Sequence, residues 1–193
     1  MTLLDDPPEA DALERIARLR RRVRDLALAS LLLAAFGAAV VADGNGAVGV
    51  AALVAAAAGL GLAGLVQSER RHELSRLVVA DRTASDEVSA FAAQLVSVAR
   101  RRRLAEGLKR AAAAGRPGLH EFTHVRPERA HARHEELLEL AAAFADPARR
   151  VRPASAALCL RLLSEPVASP LYNPQLPEEE LERTLRAIRA GIE

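Results

Sequence analysis

Tryptophan is absent from this 193-residue chain and aromatics together make up 3 % of it, so any core must be built mainly from Leu, Val and Ala. Cores of that kind tolerate repacking and are not very stiff. A single cysteine, Cys159, excludes an intrachain disulfide and suits a reducing compartment. No stretch of useful length alternates apolar and polar residues, which argues against strands. There is no phosphate-binding glycine loop, nucleophile elbow or paired-carboxylate site. The most consequential absence is of charge. None occurs in residues 26–42, LALASLLLAAFGAAVVA, or in residues 47–66, AVGVAALVAAAAGLGLAGLV.

At 1.5 Å rise per residue each run covers roughly 25–30 Å, about one hydrocarbon core. Asp43-Gly44-Asn45-Gly46 separates them and supplies the backbone freedom of a tight reversal. The expected architecture is all-α: a two-helix transmembrane hairpin followed by a small cytoplasmic helical domain. Three regions follow: a basic arm (1–25), the hairpin (26–66) and the domain (67–193). Arg15, Arg18, Arg20, Arg21, Arg22 and Arg24 precede the first run, Arg70, Arg71 and Arg76 follow the second, and the loop has no Lys or Arg. The positive-inside rule then puts both termini in the cytoplasm of a multi-pass protein of the inner (plasma) membrane. A secretory signal peptide is disfavoured, because the region before the first run is long and acidic.

Small residues recur every four positions, at Ser30, Ala34, Ala38 and Ala42 and at Ala47, Ala51, Ala55, Gly59 and Ala63. Such stripes let helix backbones approach in lipid. The arm places Leu13, Ile16 and Val23 on one helical face. Its seam is under two heptads long, so it reads as an interfacial segment whose arginines snorkel to headgroups.

The remainder is helical in pattern. Residues 67–80 continue from the second run. Residues 86–114 read as one long helix capped by Ser85, with Val88, Phe91, Leu95, Val98, Leu104 and Leu108 on its apolar side. Arg116-Pro117-Gly118 breaks it. Residues 128–145 form the next, Pro153 opens another, and residues 165–177, with four prolines, are a loop. The last helix runs from acidic Glu178, Glu179 and Glu180 to basic Arg183, Arg186 and Arg189, as the helix dipole prefers. Its buried stripe is Leu181, Leu185, Ile188 and Ile192.

Residues 68–116 carry 11 Lys/Arg against 6 Asp/Glu. The densest cluster, Arg100, Arg101, Arg102 and Arg103, is the candidate contact with anionic lipid headgroups. Nucleic acid is not expected, for want of aromatic interleaving, a helix-turn-helix signature or zinc-knuckle cysteines.

His120-Glu121-Phe122-Thr123-His124 resembles the HExxH signature of zincin metallopeptidases. The resemblance implies His120 and His124 as zinc ligands and Glu121 as general base. Flanking Pro117 and Pro127 leave no room for a long helix, and Ala130 stands where the extended motif has a third ligand. His131, His134 or Glu135 are the substitutes available. A histidine-rich surface loop is the preferred reading.

A second pattern joins Glu136-Leu137-Leu138-Glu139-Leu140-Ala141, a helix ending Arg161-Leu162-Leu163, and Ser169-Pro170-Leu171-Tyr172-Asn173-Pro174. It resembles small helical membrane proteins of high-GC, actinobacterial-type genomes. The resemblance implies a shared helical module over about residues 86–193 and no catalysis. Ser169, Pro170, Leu171 and Tyr172 form the candidate interaction loop, although Tyr172 reads better as a core plug.

The expected role is to tether a helical interaction or scaffold domain at the membrane. The partners are the bilayer and a protein or second copy of the chain, with no cofactor. The alternative is a membrane-anchored zinc metallopeptidase using HEFTH.

Overall fold

The computed structural model describes residues 9–82, 85–114, 128–165 and 168–193. Regular structure among them is α-helical: α1 (Glu9–Ala42), α2 (Gly46–Val79), α3 (Asp86–Leu95), α4 (Val98–Ala113), α5 (Glu128–Ala132), α6 (His134–Ala145), α7 (Pro153–Ser164) and α8 (Glu178–Ala190). These form two compact units, one ending at Glu73 and the other beginning at Leu74.

In the first unit α1 and the greater part of α2 form an antiparallel pair. The reversal is a Schellman turn. Asn45 N–H reaches Val40 O at 3.1 Å and Gly44 N–H reaches Val41 O at 3.1 Å, with Gly44 at φ +87°. Of the loop's two glycines, only Gly44 uses the left-handed region. Both helices run 34 residues, about 51 Å. They are longer than the apolar runs they contain.

The seam differs from the four-residue stripe expected. Less exposed positions of α1 include Ala12, Ile16, Leu19, Val23, Leu26, Ser30, Leu33, Gly37 and Val40. Those of α2 include Gly49, Ala52, Ala56, Gly59, Ala63, Val66, Arg70 and Glu73. Steps of three and four alternate in both. Ala38, Ala42, Ala47, Ala51 and Ala55 are exposed. A fixed step of four drifts about 40° around the helix each time, whereas an average of 3.5 stays on one side when the pair supercoils left-handed. The arm shares this spacing, so its seam is the first part of a longer one and Leu13 lies beside it. Arg15 Nη1 meets Glu73 Oε1 at 3.7 Å across the pair.

The second unit is a helical domain centred on α4, α6, α7 and α8. α4 lies along α6, and α7 packs against α3, α4 and α8. Leu104, Leu108, Leu137, Leu140, Phe144, Leu158, Leu162, Leu181, Leu185 and Ile188 are buried. The long helix expected over 86–114 is two. Ser97 interrupts it in extended conformation and caps α4, accepting Arg100 N–H at 3.4 Å. The break turns Val98 outward. Ser85 caps α3 as expected, accepting Val88 N–H at 3.2 Å. Residues 128–145 are likewise divided, at Arg133. After α8 the backbone pairs with the strand-like entry to α7. Val151 and Ile192 form an antiparallel bridge, with Arg150 and Glu193 exchanging two 2.9 Å hydrogen bonds.

Candidate functional site

Three surfaces bear on function: the outer face of the hairpin, the arginines of α4 and the loop after α7.

The hairpin distributes side chains opposite to a water-soluble pair. Where α1 meets α2 between the apolar runs, the contacts are small. A Cβ on Gly37 would lie 2.9 Å from Gly49 O, and one on Gly59 would meet Ser30 Oγ. Ala52, Ala56 and Ala63 are buried. The large residues face outward, with Leu32 at 73 %, Leu65 at 69 % and Val54 at 64 % exposed. Leu28, Leu31, Phe36, Val50, Leu60 and Leu62 are exposed too. Both helices are long and apolar enough to cross a membrane, and only 11 % and 22 % of their most apolar windows are buried.

On α4 the four consecutive arginines part company, as helical periodicity requires. Arg101 is buried, so it leaves the candidate lipid-facing set. Its Nε donates to Phe144 O at 3.1 Å and its Nη2 to Asp146 O, satisfying carbonyls at the end of α6. His134, the first residue of α6, does the reverse. Its Nδ1 sits 2.8 Å from Ala112 O at the end of α4 and must carry the proton, since a carbonyl only accepts. The two helices thus cap each other. Arg102 and Arg103 are exposed and Arg100 half-buried.

The Ser169–Tyr172 segment is mostly interior. Ser169, Pro170 and Leu171 are buried, and Tyr172 is half-buried. Leu171, 1 % exposed, is therefore the plug that was expected of Tyr172. Ser169 Oγ donates to Leu162 O at 2.7 Å and accepts Leu171 N–H at 3.2 Å, sealing the end of α7. These three residues do not present an interaction loop. Burial pushes the Tyr172 hydroxyl up from its usual range, opposed by the charge of Arg110.

Sequence reasoning missed the residue that holds this loop, Arg129 of α5. Its guanidinium donates to Pro170 O at 3.1 Å, Asn173 O at 3.2 Å and Pro174 O at 3.1 Å, and its Nε lies 3.3 Å from Glu178 Oε2. Arg133 extends the network, reaching Glu182 at 2.7 Å and Glu178 at 3.2 Å. The hydrogen bond to Glu182 is the main reason its pKa is raised, against a desolvation that lowers it. An arginine at the start of a helix facing a carbonyl-rich proline loop was the available signal.

Within α7, Arg161 is buried with its Nε 3.1 Å from Glu165 Oε1. Cys159 is fully buried, and burial drives its thiol far up against a small opposing effect of Arg100. A neutral, covered thiol is not a nucleophile. His120, Glu121 and His124 lie outside the described residues. Among the described residues, no three His, Cys, Asp or Glu stand together as a metal site; a site joining His131, His134 or Glu135 to His120 and His124 would include residues outside the described ones. No family model, curated protein or solved structure matches this chain.

Proposed function

We propose that residues 26–66 are inserted in the inner membrane as a hairpin, with both ends cytoplasmic. There they tether a helical domain that acts by interaction and not by catalysis. The observation carrying the membrane reading is the inverted hairpin: its buried positions within 26–66 are Ser30, Gly37, Gly49, Ala52, Ala56 and Ala63, while most of its leucine and valine side chains and Phe36 face outward. In water this arrangement wastes the large side chains. In lipid it is the favoured one, because small residues maximise backbone contact and the tails solvate the rest. The arginines on both flanks and their absence from residues 43–46 support the orientation.

Support for an interaction role comes from how the reactive groups of the domain are used. Cys159 is covered, His134 caps α4, and Arg129, Arg133 and Arg161 bind loop carbonyls or carboxylates.

Single-cysteine labelling in intact cells tests the reading, in a Cys159→Ala background. An impermeant maleimide is expected to label Asn45→Cys directly, and Lys109→Cys or Gln175→Cys only after lysis. The opposite pattern overturns the topology. Stoichiometric zinc in purified protein, together with proteolysis lost in Glu121→Gln, overturns the non-catalytic role in favour of a peptidase.

A further inference from the structure

A groove between α4 and α7 gathers four of the domain's arginines, while others lie against carboxylates elsewhere. Arg129, Arg133, Arg152 and Arg189 each meet a carboxylate. Along the groove the helical period lines up Arg100, Arg103 and Arg110, with Arg102 beside them. Arg102 and Arg103 have no ion pair among the described residues, and Arg110 bonds only a carbonyl of its own helix, Glu106 O. The one acid lining the groove, Glu106, already takes Lys109 Nζ at 2.8 Å. The floor is apolar, made by Leu104, Leu160 and Leu163 under a space of about 420 Å³. Leu163 packs close over Gly107, where a Cβ would sit 2.7 Å from its Cδ1.

We propose that this groove holds one anionic phospholipid of the bilayer, its phosphate between Arg103 and Arg110 and its glycerol and first methylenes over Leu160 and Leu163. The inference rests on the membrane reading above, which keeps the domain within reach of the inner leaflet. Guanidinium groups bind any phosphate by paired hydrogen bonds. A leucine floor adds affinity only for a phosphate with an apolar body attached, which distinguishes a lipid from a free anion. No exposed aromatic lines the groove to stack a base, so single-stranded nucleic acid fits less well. The site differs from the run of four arginines in the sequence: Arg101 is turned away and Arg110, seven residues past Arg103, takes part.

The test is native mass spectrometry of the full chain in mild detergent, titrated with phosphatidylglycerol, phosphatidylcholine or glycerol 3-phosphate. Wild type is expected to retain one phosphatidylglycerol in preference to phosphatidylcholine. Arg103→Gln/Arg110→Gln should weaken that retention roughly thirtyfold, as expected for two basic residues beside an anionic surface. Leu160→Asp should weaken it with every arginine in place. Equal retention by wild type and the double variant overturns the proposal. Glycerol 3-phosphate binding as tightly as the lipid also overturns it, in favour of a soluble anion. Alkaline carbonate extraction of cell membranes reads the tether separately. Release of the chain there overturns the membrane reading whatever the lipid titration gives.

Discussion

Replacing Arg101 by alanine removes a cationic side chain from a site that is 7 % exposed. Two bonds go with it, to Phe144 O and Asp146 O. Hydrogen bonds to charged groups contribute about 1.5–3 kcal/mol each, and the loss strands carbonyls at a helix end. Against this stands the desolvation cost of the guanidinium, which the variant no longer bears. A net loss of about 2–4 kcal/mol follows, and at ~4 °C per kcal/mol for a domain of this size the melting temperature should fall by ~8–16 °C. Arg102→Ala, one residue on and exposed, should stay within about 0.5 kcal/mol of wild type. Arg101→Lys should fall between, because a single ammonium cannot reproduce the fork. The chain carries its own reporter. Cys159 is its sole cysteine and is fully buried, so a fluorogenic maleimide lights up only as the core opens. The assay works on the full chain in detergent. If Arg101→Ala and Arg102→Ala unfold together, the reciprocal capping of α4 and α6 is not what holds that helix pair.

The loop after α7 gives a ranking: Leu171→Ala should cost about 2–5 kcal/mol in thermal unfolding, and more than Tyr172→Ala, with the reverse order restoring Tyr172 as the plug. In the hairpin, Gly49→Leu should lower the unfolding temperature in detergent, because even a Cβ there meets Gly37 O at 2.7 Å. Gly61→Leu faces open space and should be tolerated. A pH dependence follows from Cys159. Its folded pKa is raised above the ordinary 9.0 by burial, so its contribution to stability is whole below that pH and is lost as pH climbs above it. Circular-dichroism melting should therefore show wild type declining more steeply above about pH 9 than Cys159→Ala.

What could be read in advance was whatever short-range chemistry decides. Ser85 capped its helix, Pro153 opened another, and Leu181, Leu185 and Ile188 of the expected stripe are fully buried, while Ile192 lies past the end of α8 and is half-buried. Ser97 was also a good cap residue, followed by a helix-forming run. The apolar spacing continues through it, however, and spacing alone cannot see a change of axis. The hairpin seam was misplaced for a related reason. With so much alanine, a period of four and an alternation of three and four both find small residues, and only a partner helix selects between them. The arginines were legible as a cluster and not as individuals. Whether Arg101 faces a helix end or a bilayer depends on α6, more than thirty residues on. For Arg129 the sequence offers only its place at the start of a helix, because the carbonyls that define its role lie beyond α7.

The change in seam composition along the hairpin also has a calorimetric consequence. Toward the arm the seam buries Ile16 and Leu19 beneath outward arginines, and toward the turn it buries Ser30 and Gly37 beneath outward leucines. With the hairpin in the membrane as proposed above, separating the first half exposes apolar surface to water and raises the heat capacity; separating the second, in hydrocarbon, does not. One helix pair therefore follows two temperature laws. Cooling weakens the hydrophobic grip near Ile16 and leaves the glycine contact near Gly37 untouched, so in the cold the pair should fray from its arginine end while the turn stays shut.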